Sequence, residues 1–183
     1  MDRQLAYARH YPAINWLTSY SEYAEELKGW FDSNVDKTFY ENRADIISIL
    51  QTESKLMEIV NLIGSDVLPD DQKLLLEIAR TIRLGFLQQN AYHENDTYVP
   101  IVKQHKMAAI ILFLYDKTKE LLPLNIPISI IKETGLFEKI IRIKYDIKND
   151  QLSLFDTYRS DIEKTVADIK ARYKTEEKRS NPV

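Results

Sequence analysis

The sequence has 183 residues, a formal net charge of −3 and no cysteine. Disulfide frameworks, zinc ribbons and thiol nucleophiles are thereby excluded, and the charge balance gives no general reason to expect nucleic-acid binding. Apolar residues make up 44% of the chain, but it has only four Gly and six Pro, which favours one core built from long helices over many short strands. The N-terminus is polar, and the longest apolar run, Met107 to Tyr115, falls far short of the roughly 20 residues that span a bilayer. No direct membrane insertion is expected.

Residues 1–20 read as an extended or irregular lead-in rich in aromatics, with Pro12 pushing Tyr11 away from helical geometry. Ser21 is placed to cap a short helix ending near Phe31, with Glu22 and Glu25 in its first turn, and Asp32-Ser33-Asn34 reads as a loop. Over 37–63, Ile46, Ile49/Leu50, Leu56/Met57, Val60 and Ile63 draw a stripe of helical period, with Gly64 in the C′ position. Ser65 to Asp71 is a compact loop. Asp70 or Asp71 can cap the next helix, 71–89, whose stripe is Leu75, Ile78/Ala79, Ile82 and Phe86. Two long helices around a short loop make an antiparallel αα-hairpin. Gly85 costs the second helix about 1 kcal/mol relative to Ala, so its last turn is expected to fray.

Asn90 to Pro100 is a polar loop. Residues 101–121 form a third long helix, apolar nearly all round at Ala108–Leu114 and therefore expected to be the most buried. Short helices over 128–134 and 136–147 follow the breaks at Pro123 and Pro127. A last helix over 150–174 turns Leu154/Phe155, Ile162, Val166, Ile169 and Tyr173 inward, and the charged tail 175–183 is expected to be disordered. The fold class predicted is all-α: a bundle of six to eight helices over 21–174, with the αα-hairpin and the aromatic lead-in.

The chemistry is sparse. None of the glycines, at 29, 64, 85 and 135, sits in a phosphate-binding loop, which needs consecutive N–H groups turned onto the phosphates. His10, His93 and His105 show no metal-ligand spacing, and loop or surface positions are expected for them. No nucleophile elbow or carboxylate pair stands out, so neither catalytic residues nor a metal site are assigned. The basic C-terminal end reads as a solvated helix end. Tyr7, Tyr11, Trp16, Tyr20 and Tyr23 are too many aromatics for a plain linker. They either pack on the bundle through Trp16 and Ile14 or offer a ring to a flat ligand.

The segment Arg9-His10-Tyr11-Pro12-Ala13-Ile14-Asn15-Trp16-Leu17-Thr18-Ser19-Tyr20-Ser21 resembles a signature of the catalytic A subunits of V/A-type rotary ATPases. Leu62-Ile63-Gly64-Ser65-Asp66-Val67-Leu68-Pro69 is similar to a second block of that family. Ile78–Arg83, Phe86–Tyr92, Asp96-Thr97-Tyr98 and, more weakly, Ile141–Tyr145 follow in the same order. Tyr11 and Tyr92 stand where the family usually has Phe, and Leu84-Gly85 replaces a frequent acidic pair.

The resemblance implies the C-terminal helical domain of a longer subunit, with ATP/ADP and magnesium held mainly upstream and no cofactor expected in this part by itself. It implies B subunits and a central rotor subunit as partners, a peripheral place on the cytoplasmic face of a membrane-bound complex, and coupling of ATP hydrolysis or synthesis to rotation and to H⁺ or Na⁺ transport. Tyr11 and Tyr92 are the expected aromatic walls of the adenine pocket. The hairpin tip, Asp66, Val67, Leu68, Pro69, Asp70 and Asp71, is the expected rotor contact. The alternative is a stand-alone helical adaptor that binds a protein through the same hairpin.

Overall fold

The computed structural model describes residues 1–180, with the side chains of 1–174. It is all-helical among the described residues: α1 (Arg3–Tyr7), α2 (Lys28–Asn34), α3 (Phe39–Ile63), α4 (Asp70–Ile82), α5 (Ile101–Lys119), α6 (Ile128–Glu133), α7 (Leu136–Asp146) and α8 (Leu154–Ser180). A π-helical segment, Arg83–Leu87, continues α4, and a 3-10 turn, Leu122–Leu124, follows α5. The helix α8 runs past position 174, where the sequence pattern ends it, and the rest of the predicted tail, 181–183, lies outside the described residues.

The core forms where the stripes meet. The helix α5 packs against α3, α4, α7 and α8. Its Met107, Ala108, Ile110, Ile111 and Leu114 are buried, as its nearly all-apolar middle requires. Leu74, Ile78, Ala79 and Ile82 are the fully buried face of α4, shifted one residue from the predicted stripe because Leu74 rather than Leu75 points inward. Phe155, Ile162, Val166 and Ile169 of α8 close the other side, while Leu154 is exposed.

Helix α3 is the longest of the hairpin, and its buried residues stop at Leu56. Beyond Leu56 the last turns overhang the core: Leu62 is exposed, and so are Met57 and Ile63, read as inward from spacing alone. Gly64 ends the helix at φ 87°, a left-handed value that suits glycine at this position.

Four local expectations are corrected. The lead-in is not extended throughout. Asp2 caps α1, accepting from the N–H groups of Gln4 at 2.8 Å and Leu5 at 3.0 Å, and from the Asn15 amide at 2.9 Å. These bonds hold its carboxyl below the ordinary range, led by that from Leu5. The short helix does not start at Ser21. Residues 22–27 form turns with mostly exposed side chains, and a turn without a core behind it does not propagate as helix. Asp32-Ser33-Asn34 lies inside α2 instead, where Ser33 and Asn34 bond back to the carbonyls of Gly29 and Trp30. Finally, the helix expected to run to residue 89 leaves α geometry after Ile82 and ends at Leu87, and Gly85 is buried in its π segment, against the backbone of α7.

Candidate functional site

The lead-in crosses the far end of the hairpin, away from the tip. Gln89 donates its backbone N–H to the Tyr11 carbonyl at 2.7 Å, and the Gln88 side chain donates to the Arg9 carbonyl at 3.3 Å. The His10 ring nitrogen Nε2 lies 3.2 Å from the Arg83 carbonyl, and its ring meets Trp16 at 5.1 Å between centroids. His10 and Ala13 are the buried anchors here, with Trp16 half-buried. Ile14, expected as an anchor, is exposed. Of the histidines, His10 and His93 lie in loops as expected, although His10 is buried, whereas His105 is neither in a loop nor at the surface: it is buried on α5, its ring 6.1 Å from that of Phe39.

Tyr11 is therefore tied by its own backbone to a position three residues before Tyr92. The chain brings these two predicted site residues, 81 positions apart, to the same end of the bundle. Tyr11 is 56% exposed and Tyr92 fully exposed, so neither ring is spent on the core. The loop beneath Tyr92 is well bonded. Tyr92 donates its N–H to Asn90 Oδ1 at 3.0 Å, and the single proton of the Thr97 hydroxyl is shared between the carbonyls of Ala91 and His93, at 2.8 and 2.9 Å. The His93 ring meets Tyr145 at 4.6 Å. An exposed ring on a firmly bonded loop can stack on a flat partner at low ordering cost.

Three charged residues to which the sequence reading gave no role lie in or under this loop. Lys103 and Lys144 are almost fully buried, and so is Asp96. Desolvation pulls both lysines below the ordinary ammonium range, with the Asp96 charge acting in the other direction. The signal was available. Lys144 stands seven residues after Phe137 and four after Ile140 on the inward face of α7, and Lys103 stands four before Met107 on that of α5. A lysine in register with an apolar stripe is a candidate buried cation.

At the other end of the hairpin lies the tip. Leu62 is 84% exposed, Ile63 59% and Val67 66%, whereas Leu68 is only 6% exposed. Leu68 is thus an internal anchor, and the apolar surface of the tip comes from Val67 with the end of α3. Pro69 occupies the N-cap position of α4, so neither Asp70 nor Asp71 caps by a side-chain hydrogen bond. Both lie inside the first turn, where their charge faces the positive end of the helix dipole. Lys73 Nζ donates to the Asp66 carbonyl at 3.0 Å and holds the loop against α4. The two candidate sites sit at opposite ends of the αα-hairpin.

Other features suit neither phosphate nor metal. An apolar cavity of about 370 Å³ opens between the lead-in, α3, the π segment and α5, lined by Trp16, Phe39, Ile46, Phe86 and His105 among others. Its lining offers no run of backbone N–H donors to a triphosphate. Among the described residues no group of three His, Asp or Glu side chains is arranged to hold a metal ion. The described residues thus do not fit magnesium or the phosphates of a nucleotide. Among the described residues no helix is long and apolar enough to cross a membrane.

Comparison with known proteins agrees with the sequence signature. The chain is 52% identical over 153 residues to the V-type ATP synthase alpha chain 2 of Clostridium tetani (strain Massachusetts / E88), covering 84% of this chain and 26% of that one. It is 47% identical over 163 residues to the V-type ATP synthase alpha chain of Halothermothrix orenii (strain H 168 / OCM 544 / DSM 9562), covering 89% and 28%. The corresponding chain of Clostridioides difficile (strain 630) is 43% identical over 169 residues, covering 92% and 28%. This chain spans about a quarter of the length of these relatives. The family model for the C-terminal domain of V and A type ATP synthase matches residues 28–127, more than half of the chain, and the chain belongs to that family.

Proposed function

We propose that this domain converts nucleotide-driven movement of a V-type ATP synthase alpha subunit into a push on the central rotor. In that reading ATP or ADP with magnesium binds mainly in the rest of the subunit, at its boundary with a neighbouring B subunit. Tyr11 and Tyr92 supply aromatic walls for the adenine. The complex stands peripherally on the cytoplasmic face of its membrane and couples hydrolysis or synthesis of ATP to ion transport.

The observation that carries this reading is the overhang of α3. A hairpin whose long arm projects past the core, with Leu62, Ile63 and Val67 exposed at its end, is a lever with an apolar contact surface. A small rotation about the base gives the tip the largest displacement. Contiguous exposed apolar groups at such a place mark an interaction site more often than scattered ones do. The aspartates around it need not form specific pairs, since exposed ion pairs contribute only about 0–1 kcal/mol.

The chain has no cysteine of its own, so a single Val67→Cys gives a unique thiol within this domain for cross-linking. In the assembled complex it should form a disulfide with a cysteine introduced on the facing rotor surface and stop rotation until reduced. If no rotor position cross-links, the contact lies elsewhere. Replacing Asp66, Asp70 and Asp71 together by Ala should leave torque largely intact.

A further inference from the structure

The buried cations beneath the Tyr92 loop are an expensive feature for a helical bundle. An ammonium removed from water costs several kcal/mol unless its protons find acceptors. Here they do. Lys144 Nζ donates to the Leu84 carbonyl at 2.8 Å and to the Gln88 carbonyl, both at the end of the hairpin, and lies 3.8 Å from Asp96 Oδ2. The same Asp96 oxygen accepts the N–H of Asn90 at 2.6 Å, at the start of the loop. Lys103 Nζ, from α5, has four acceptors around its three protons: the carbonyls of Ile147 at 2.6 Å, Lys144 at 3.1 Å and Asn95 at 3.3 Å, and Asn149 Oδ1 at 2.9 Å. The Asn95 amide donates in turn to the Tyr145 carbonyl at 3.2 Å.

These bonds reach the loop on both sides of Tyr92: at Asn90 through Asp96, and at Asn95 through Lys103. They reach the hairpin at Leu84 and Gln88 through Lys144, one residue before the N–H that binds the Tyr11 carbonyl. Lys144 and Tyr145 belong to α7, so loop, hairpin end and α7 share one buried set of acceptors. We propose that Asp96 and Lys144 are positioning residues that fix the Tyr92 ring to the base of the hairpin, so that the ring and the hairpin move as one body. The proposal rests on the reading of Tyr92 as an adenine wall. It adds the means by which a contact on a base at one end is registered in the orientation of the lever that carries the tip.

The alternative is that the cluster merely supports the fold. A purely structural role predicts loss of stability with no specific relation to Tyr92. A positioning role predicts that Asp96 acts on nucleotide binding only through that ring, which a double-mutant cycle reads directly. The test uses the assembled ATPase carrying Asp96→Asn, Tyr92→Ala or both in the full-length subunit. KM and kcat for ATP are measured together with backbone hydrogen exchange over residues 89–98.

Asp96→Asn should speed exchange in that segment, keep kcat within about twofold and raise KM about fivefold or more, the low end of what a lost stacking contact costs. It should add nothing in the Tyr92→Ala background. If the two changes multiply, or if Tyr92→Ala raises KM and Asp96→Asn does not, the positioning role is overturned while the adenine reading stands. If Tyr92→Ala itself leaves KM unchanged, the adenine reading fails and the positioning role fails with it. Lys144→Met, which keeps the aliphatic stem without the cation, is the second variant should Asp96→Asn not assemble, and the same outcomes decide it.

Discussion

Gly85→Ala sets two known effects against each other at one atom. In an ordinary helix the change would stabilise by about 1 kcal/mol, because glycine has more backbone freedom to lose. Gly85 has no left-handed φ to forbid a side chain. A Cβ there, however, would lie 3.1 Å from Ile141 Cα, 3.5 Å from the Ile140 carbonyl oxygen and 3.6 Å from that of Ile141. All three atoms are backbone of α7, so no side chain can rotate away. The helix α7 is also held close by Lys144 on the Leu84 and Gln88 carbonyls, and by Glu138 on Arg80 at 3.3 Å. Yielding by a few tenths of an ångström would loosen those contacts, and overpacking of this kind costs about 1–3 kcal/mol. Set against the propensity gain, the net expectation is a destabilisation of about 0–2 kcal/mol, with Gly85→Val clearly worse. Urea unfolding followed by circular dichroism measures it as a lower midpoint at unchanged slope. A Gly85→Ala variant more stable than the parent by the full helix-propensity gain would show that α7 gives way freely, and would refute the close-packing argument.

At the tip, Leu68→Ala should cost about 2–3 kcal/mol, since Leu68 is buried, whereas Val67→Ala should stay within about 0.5 kcal/mol. Equal effects in denaturant unfolding would contradict the assignment of anchor and contact. His105 is held below its ordinary pKa of 6.5, first by desolvation and also by Lys106, with Asp36 acting in the opposite direction. A base whose folded pKa is depressed stabilises fully above the unfolded value and loses that contribution as pH falls through 6.5 towards the folded value. Unfolding midpoints should therefore drop on acidification through this window, and His105→Gln should flatten that part of the profile. Tyr92→Ala should leave stability unchanged within about 0.5 kcal/mol, because the ring touches solvent only, while raising KM for ATP in the full complex. Tyr11→Phe and Tyr92→Phe should be nearly neutral in the same assay, since the ring stacks and the hydroxyl does not.

The αα-hairpin, its glycine stop and the burial of α5 were legible because each rests on a periodic pattern that the chain displays locally. Ile78 to Ile82 and Met107 to Leu114 need no partner to be recognised as buried faces, although Leu74 in place of Leu75 was not read from the pattern. The overhang of α3 was not legible. Met57, Val60 and Ile63 keep the period of Ile46 to Leu56, but a stripe does not say how far the core extends beneath it. Lys103 and Lys144 were given no role because lysine is ordinarily solvated, and the carbonyls that replace water, that of Asn95 apart, come from segments 41 to 60 positions away. Leu68 and Val67, adjacent in a loop with no period, could be separated only by knowing which one faces the core. The pairing of Tyr11 with Tyr92 came from resemblance, and the bond between Gln89 and Tyr11 supplies the physical link that composition could not.

In the proposed function the apolar tip is the contact of a lever. Replacing the exposed Leu62, Ile63 and Val67 together by Ser, with Leu68 left in place, should spare the fold, because none of the three is buried. Ion transport per ATP hydrolysed, measured in vesicles holding the assembled complex, should then collapse while hydrolysis continues. Transport that stays fully coupled to hydrolysis in this variant would contradict the account.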